Sequence, residues 1–154
     1  MQRKLLKELS MKIDQAGINF IKRWEGCKLK CYRDVVGLPT IGWGHLIVLP
    51  QESKYMTITL TQSEADDLLL FDITAKASTY VDKMKVDFTQ NQYNIAISFC
   101  FNTGAGNFRK STFYAECLKG NFEAAAKALR AYGGDKRPKG LANRRNAEAD
   151  LFLS

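Results

Sequence analysis

The chain has 154 residues, 45% of them apolar, 25% charged and only 3 Pro, which describes a globular domain able to bury a core without a metal or disulfide staple and excludes a disordered or fibrous chain. Its net charge of +7 is uneven: residues 1–33 carry nine Lys or Arg against three acids, 34–119 seven against nine, and 120–154 seven against four. Basic ends around a slightly acidic middle suit an anionic partner, whether nucleic acid, a membrane surface or an acidic wall polymer, and charge alone does not choose among them.

Residues 1–13 read as a basic N-terminal extension, and the start MQRKLLKELSMKIDQ lacks an apolar run of signal-peptide length, so synthesis in a cytosol is expected. In that compartment Cys27, Cys31, Cys100 and Cys117 read as free thiols. Cys27 and Cys31 form a C-x3-C pair, but His45 is the single histidine and no second close cysteine pair exists, so neither a metal site nor another cofactor is expected. Ile18, Phe20, Ile21 and Trp24 set an apolar stripe on a helix over about 15–25, with Asp14 as N-cap and Gly26 at its end.

From Leu29 to Leu46 the chain is short-paced and turn-rich, punctuated by Asp34 and Gly37-Leu38-Pro39, and predicts a small antiparallel sheet. Residues 47–60 read as a loop with room for one strand. Thr61-Gln62-Ser63-Glu64 is a capping box, and Ala65, Leu68, Leu69 and Ile73 extend a helix toward residue 82. A helix from Thr89 places Tyr93, Ala96, Ile97, Cys100 and Phe101 on one buried face until Gly104-Ala105-Gly106 breaks it. Ser111–Leu118, Asn121–Tyr132 and Leu141–Leu153 predict three further helices. The sum is an α+β domain spanning 1–154: a sheet lobe over about 29–60, a helical lobe over about 83–154 with the first helix, a long helix joining them and a cleft between.

Breaking a glycosidic bond takes one carboxyl that keeps a proton for the leaving oxygen and a second carboxylate that serves a nucleophile across the ring. Glu25 follows an apolar helix beside Trp24, a setting that favours the proton donor, and Asp34 sits at a polar turn. With 16 acids in the chain that pair is unspecific by itself. The string around it is not: Glu25-x8-Asp34-x5-Thr40-Ile41-Gly42-Trp43-Gly44-His45 closely resembles the catalytic stretch of the phage lysozymes of glycoside hydrolase family 24, the T-even and lambdoid endolysins. Leu60–Asp72, Phe101–Phe108 and Gly140–Phe152 resemble that family's interlobe helix, far cleft wall and closing helix, in order, so the likeness covers about residues 14–153.

The resemblance implies a lysozyme-like fold and a muramidase that cuts peptidoglycan by inversion, with Glu25 as general acid, Asp34 as second carboxylate and Thr40 as the hydroxyl that orients water. It implies sugar contacts at Gly44, Leu46, Phe101 and Asn102. Arg144 or Arg145 is expected beside Glu25, and His45 is expected to tie the sheet to Asp72, a carboxylate on the apolar face of the long helix. Release to the periplasm through a holin-type pore and a monomeric state go with it. The helix in Asn121–Lys139, with Phe122, Ala125, Ala126 and Leu129 on one side and Lys127, Arg130, Lys136, Arg137 and Lys139 nearby, offers a second partner, anionic outer-membrane lipid. Two other readings compete: a lytic transglycosylase acting on the same bond, and a non-enzymatic basic module for membrane or nucleic acid. No nucleic-acid motif is recognisable, and no nucleic-acid partner is expected.

Overall fold

The computed structural model describes residues 11–154, and residues 1–10, most of the expected basic extension, lie outside the described residues. The described chain divides into two units, one formed by 19–75 and the other by 11–18 with 76–154.

Helix α1, Gln15–Trp24, starts where Asp14 accepts from the Gly17 N–H at 3.0 Å through its side chain, satisfying one of the orphan donors of the first turn. The sheet of the 19–75 unit follows: β1 Lys28–Arg33, β2 Pro39–Gly42 and β3 His45–Leu46, antiparallel in the order β1-β2-β3. Tyr32 pairs with Thr40, and Thr40 with Leu46. Because side chains alternate across a strand, Ile41 points the other way, into a core with Ile47, Leu60 and Ala65 against which Cys27, Leu29, Cys31, Tyr55 and Leu68 pack. Residues 47–60 hold no full strand. They contribute a short 3-10 turn at Ser53–Met56 and a single bridge from Thr59 to Lys30.

Helix α2, Gln62–Ile73, opens with the capping box foreseen at Thr61 and Glu64. It does not run unbroken to residue 82: a π-helical turn at Thr74–Ser78 intervenes before the short α3, Thr79–Asp82. No helix among the described residues is long and apolar enough to cross a membrane.

In the other unit α4, Gln90–Thr103, begins at a second capping box between Thr89 and Gln92. Every residue from Tyr93 to Cys100 is buried, so the helix is enclosed on all sides, while Phe101 is only half-buried. The expected buried helix is therefore found, and only Phe101 of its apolar set is less covered than expected. A helix absent from the sequence reading, α5 Ala105–Lys110, follows at once. Gly104, at φ 85°, ends α4 with its N–H on Cys100 and starts α5 with its carbonyl under Phe108, a conformation open to glycine at little cost. Then come α6 Thr112–Leu118, α7 Phe122–Ala131 and α8 Lys139–Phe152.

The apolar side of the helix expected in Asn121–Lys139 as a lipid-binding face is packed into the core, while Lys127, Lys136 and Lys139 are exposed. Ala125, Ala126 and Leu129 are buried, and Phe122 meets the rings of Phe88 and Phe152 at 6.1 and 5.9 Å. Arg137 turns back to donate to the carbonyls of Arg130 and Tyr132 at the end of α7. An amphipathic helix binds a bilayer through the same stripe that it would use in a core, and in this structure that stripe faces the core.

Candidate active site

Asp34 lies just past β1 at the head of a turn that its own carboxylate organises. Its Oδ1 accepts from the N–H groups of Val36 at 3.0 Å and Leu38 at 2.9 Å, and its N–H donates to the Leu38 carbonyl at 2.9 Å. The same carbonyl accepts from the Thr40 hydroxyl at 3.1 Å. One residue, Leu38, therefore fixes both side chains. Oδ2 of Asp34 carries no hydrogen bond among the described residues, and the Thr40 hydroxyl, its proton engaged, meets anything else as an acceptor. Two acceptors anchored to one residue can hold both protons of a water and leave its lone pair pointing outward.

Glu25 continues the last turn of α1, its N–H on the Ile21 carbonyl at 3.2 Å, and is half-buried. What sets the end of α1 against the sheet is Asp66 of α2, which sequence reading passed over. It accepts from the Trp43 indole at 2.8 Å and from Gln62 at 3.0 Å and pairs with Lys22 of α1 at 3.0 Å. The Trp43 hydrogen bond, helped by Lys22 and Gln62, holds the Asp66 carboxyl below its ordinary range. Tyr32, also missed, stands in the cross-strand row with Thr40 and Leu46. Burial first, then the charges of Asp34 and Glu25, push its phenol up, so Tyr32 lies within the field of both carboxylates and stays protonated.

Gly44 occupies the turn between β2 and β3 at φ 89° with open space where a Cβ would stand. Leu46 is 41% exposed beside Thr40. In the other unit Phe101 and Asn102 end α4, Asn102 exposed. Arg144 and Arg145 are buried on α8, and both reach the fully buried Glu148.

His45 holds the sheet to α2 through Nδ1, 2.9 Å from Asp72, and also carries a partner the sequence did not reveal: Nε2 lies 3.0 Å from Glu52, whose carboxylate accepts from Val48 at 2.8 Å. The Asp72 hydrogen bond outweighs burial and raises the His45 pKa above its usual 6.5, with Glu52 adding to the rise. For Glu52, burial pushes upward, but the Val48 N–H and His45 together take it below the ordinary carboxylate value. The raised histidine stabilises the fold fully below its unfolded pKa, and that share is lost as pH rises through the folded value; the lowered Glu52 contributes above its unfolded pKa and loses its share as pH falls through the folded one. His45→Asn should therefore destabilise the fold most near pH 5–6, by on the order of 3 kcal/mol for a broken buried pair, read as the largest drop in Tm. The difference should narrow above the folded pKa to what the neutral imidazole N–H still supplies. A gap in Tm that stays constant from pH 5 to pH 10 would rule out the charged clamp.

Comparison with known proteins gives a consistent set of likenesses. A family model described as phage lysozyme matches residues 22–148. The endolysin of Salmonella phage P22 is 36% identical over 94% of this chain and 99% of its own length. That of Bacillus phage PZA is 37% identical over 94% of this chain, which spans only 56% of that longer protein. The crystal structure of a P22 lysozyme mutant superposes with a TM-score of 0.83 at 35% identity, covering 94% of this chain and all of that one.

Proposed function

The chain belongs to the phage lysozyme family, and from that premise we propose that it is an endolysin-type muramidase hydrolysing the β-1,4 bond between N-acetylmuramic acid and N-acetylglucosamine in peptidoglycan. Glu25 protonates the leaving glycosidic oxygen. Asp34 and Thr40 hold the attacking water on the other face of the sugar. Gly44, Leu46, Phe101 and Asn102 contact the glycan. The place of action is the periplasmic wall, reached through a holin-type pore.

The observation that carries this reading is the double hold of Leu38 on Asp34 and Thr40. A lytic transglycosylase closes an anhydro ring by internal attack and has no use for a pair of acceptors aimed at water, so the geometry favours hydrolysis. Mass spectrometry of digested cell walls separates the two: reducing-end fragments, one water heavier than their anhydro counterparts, are expected, and a digest of anhydro-ended fragments would reject the hydrolytic mechanism.

A further inference from the structure

Arg145 is 2% exposed, its guanidinium carbon 4.9 Å from the centre of the Phe99 ring and 5.7 Å from that of Tyr132. One of its terminal nitrogens donates to Glu148 and the other to Oδ1 of Asn102. Glu148, with no exposed surface, is itself fixed by Ser98 at 2.8 Å and by Arg144 at 3.2 Å. Arg145 is thus buried, packed against two adjoining rings and hydrogen-bonded through both terminal nitrogens, which holds it beside Asn102.

A guanidinium has N–H donors and no acceptor. The oxygen and nitrogen of an Asn amide are similar in size, and which way the group points is decided by its hydrogen-bond partners. Facing Arg145, the Asn102 amide must keep its oxygen inward, which turns its NH2 group outward. Asn102 is exposed on the last turn of α4, and that NH2 makes no hydrogen bond among the described residues.

We infer that Arg145 is a positioning residue that locks Asn102 as an outward hydrogen-bond donor, and that the ligand group it receives is the carbonyl oxygen of an acetamido substituent on the glycan. A sugar hydroxyl both donates and accepts and would be served by either amide orientation, so it gives no reason to lock one. An acetamido oxygen only accepts, and an unlocked amide would present it with a second acceptor. The inference rests on the muramidase reading and adds to it the chemistry of one substrate contact.

Asn102→Asp tests both halves, since the change conserves size and the bond from Arg145 while replacing the outward donor by an acceptor. If Arg145 holds residue 102, the new charged pair should leave Tm unchanged or raise it by roughly 2–4 °C. If residue 102 donates to a carbonyl, KM on soluble peptidoglycan strands should rise about tenfold or more, the cost of losing a substrate hydrogen bond and facing an acceptor, with kcat within about twofold because binding alone is touched. Arg145→Gln, able to pair with either amide orientation, should show part of the KM rise, and the donor-only Arg145→Lys should recover toward wild type. An unchanged KM for Asn102→Asp overturns the donor assignment, and a lowered Tm overturns the hold by Arg145, in either case with wall lysis by the wild-type protein intact. Absence of lysis by the wild type would instead remove the functional reading.

Discussion

Glu25→Gln is expected to abolish wall lysis while leaving the fold in place. The amide has the shape of the protonated carboxyl and can still accept from or donate to its neighbours, but it has no proton to transfer to a departing sugar oxygen. General acid catalysis contributes on the order of 10²–10⁴ in rate, so turbidity of a purified wall suspension should fall at least a hundredfold more slowly with the variant. The position suits the role: Glu25 directly follows α1, whose Lys22 is tied through Asp66 to the Trp43 indole and hence to the β2–β3 turn. Two readouts are needed together. Native circular dichroism with lost lysis supports the acid, whereas a folded variant that keeps more than a small fraction of wild-type lysis removes Glu25 from that role.

The features that could be read from the sequence are the ones written in short-range chemistry. Thr61 with Glu64 specifies a helix start within four residues, and the Asp34-to-Thr40 segment specifies its turn with Gly37 and Pro39 in place. Long-range partners were less accessible. Asp72 could be foreseen as a carboxylate on an apolar helix face, but Glu52 lies in a segment without periodicity, and only the folded path of residues 47–60 brings it to His45. Asp66 follows Gln62 by one helical turn and accepts from it, but its larger task, receiving Trp43 and Lys22, depends on where the sheet and α1 come to rest. Helix α5 was invisible because Gly104 serves both as the end of one helix and the start of the next, without any Ser, Thr or Asp to mark it. The stripe of α7 was visible as amphipathic, yet periodicity does not say whether a stripe meets a core or a bilayer.

The stereochemical outcome follows from how Leu38 holds the two acceptors. If Asp34 attacked the sugar directly, the carboxyl groups would sit about 5–5.5 Å apart and a covalent intermediate would give retention. That route leaves the Thr40 hydroxyl without a part. The Thr40 proton is on the Leu38 carbonyl and Oδ1 of Asp34 is occupied by Val36 and Leu38, so what each residue offers is a lone pair. Lone pairs on Thr40 and on Oδ2 of Asp34 suit the two protons of a water, and a water needs the wider gap of about 6.5–9.5 Å that goes with inversion. Proton NMR of the first reducing ends released from the β-linked glycan should therefore show the α anomer, with the β form growing in only by mutarotation. Thr40→Val sharpens the test, because it keeps the β-branched shape beside Tyr32 and Leu46 and removes the hydroxyl, both its outward lone pair and its hydrogen bond to the Leu38 carbonyl. It should slow hydrolysis by about 10² or more, the order of a missing preorganised polar contact at the reacting centre, and the residual product should still be α. An initial burst of β anomer from the wild-type enzyme would eliminate attack by water and return Asp34 to the role of nucleophile.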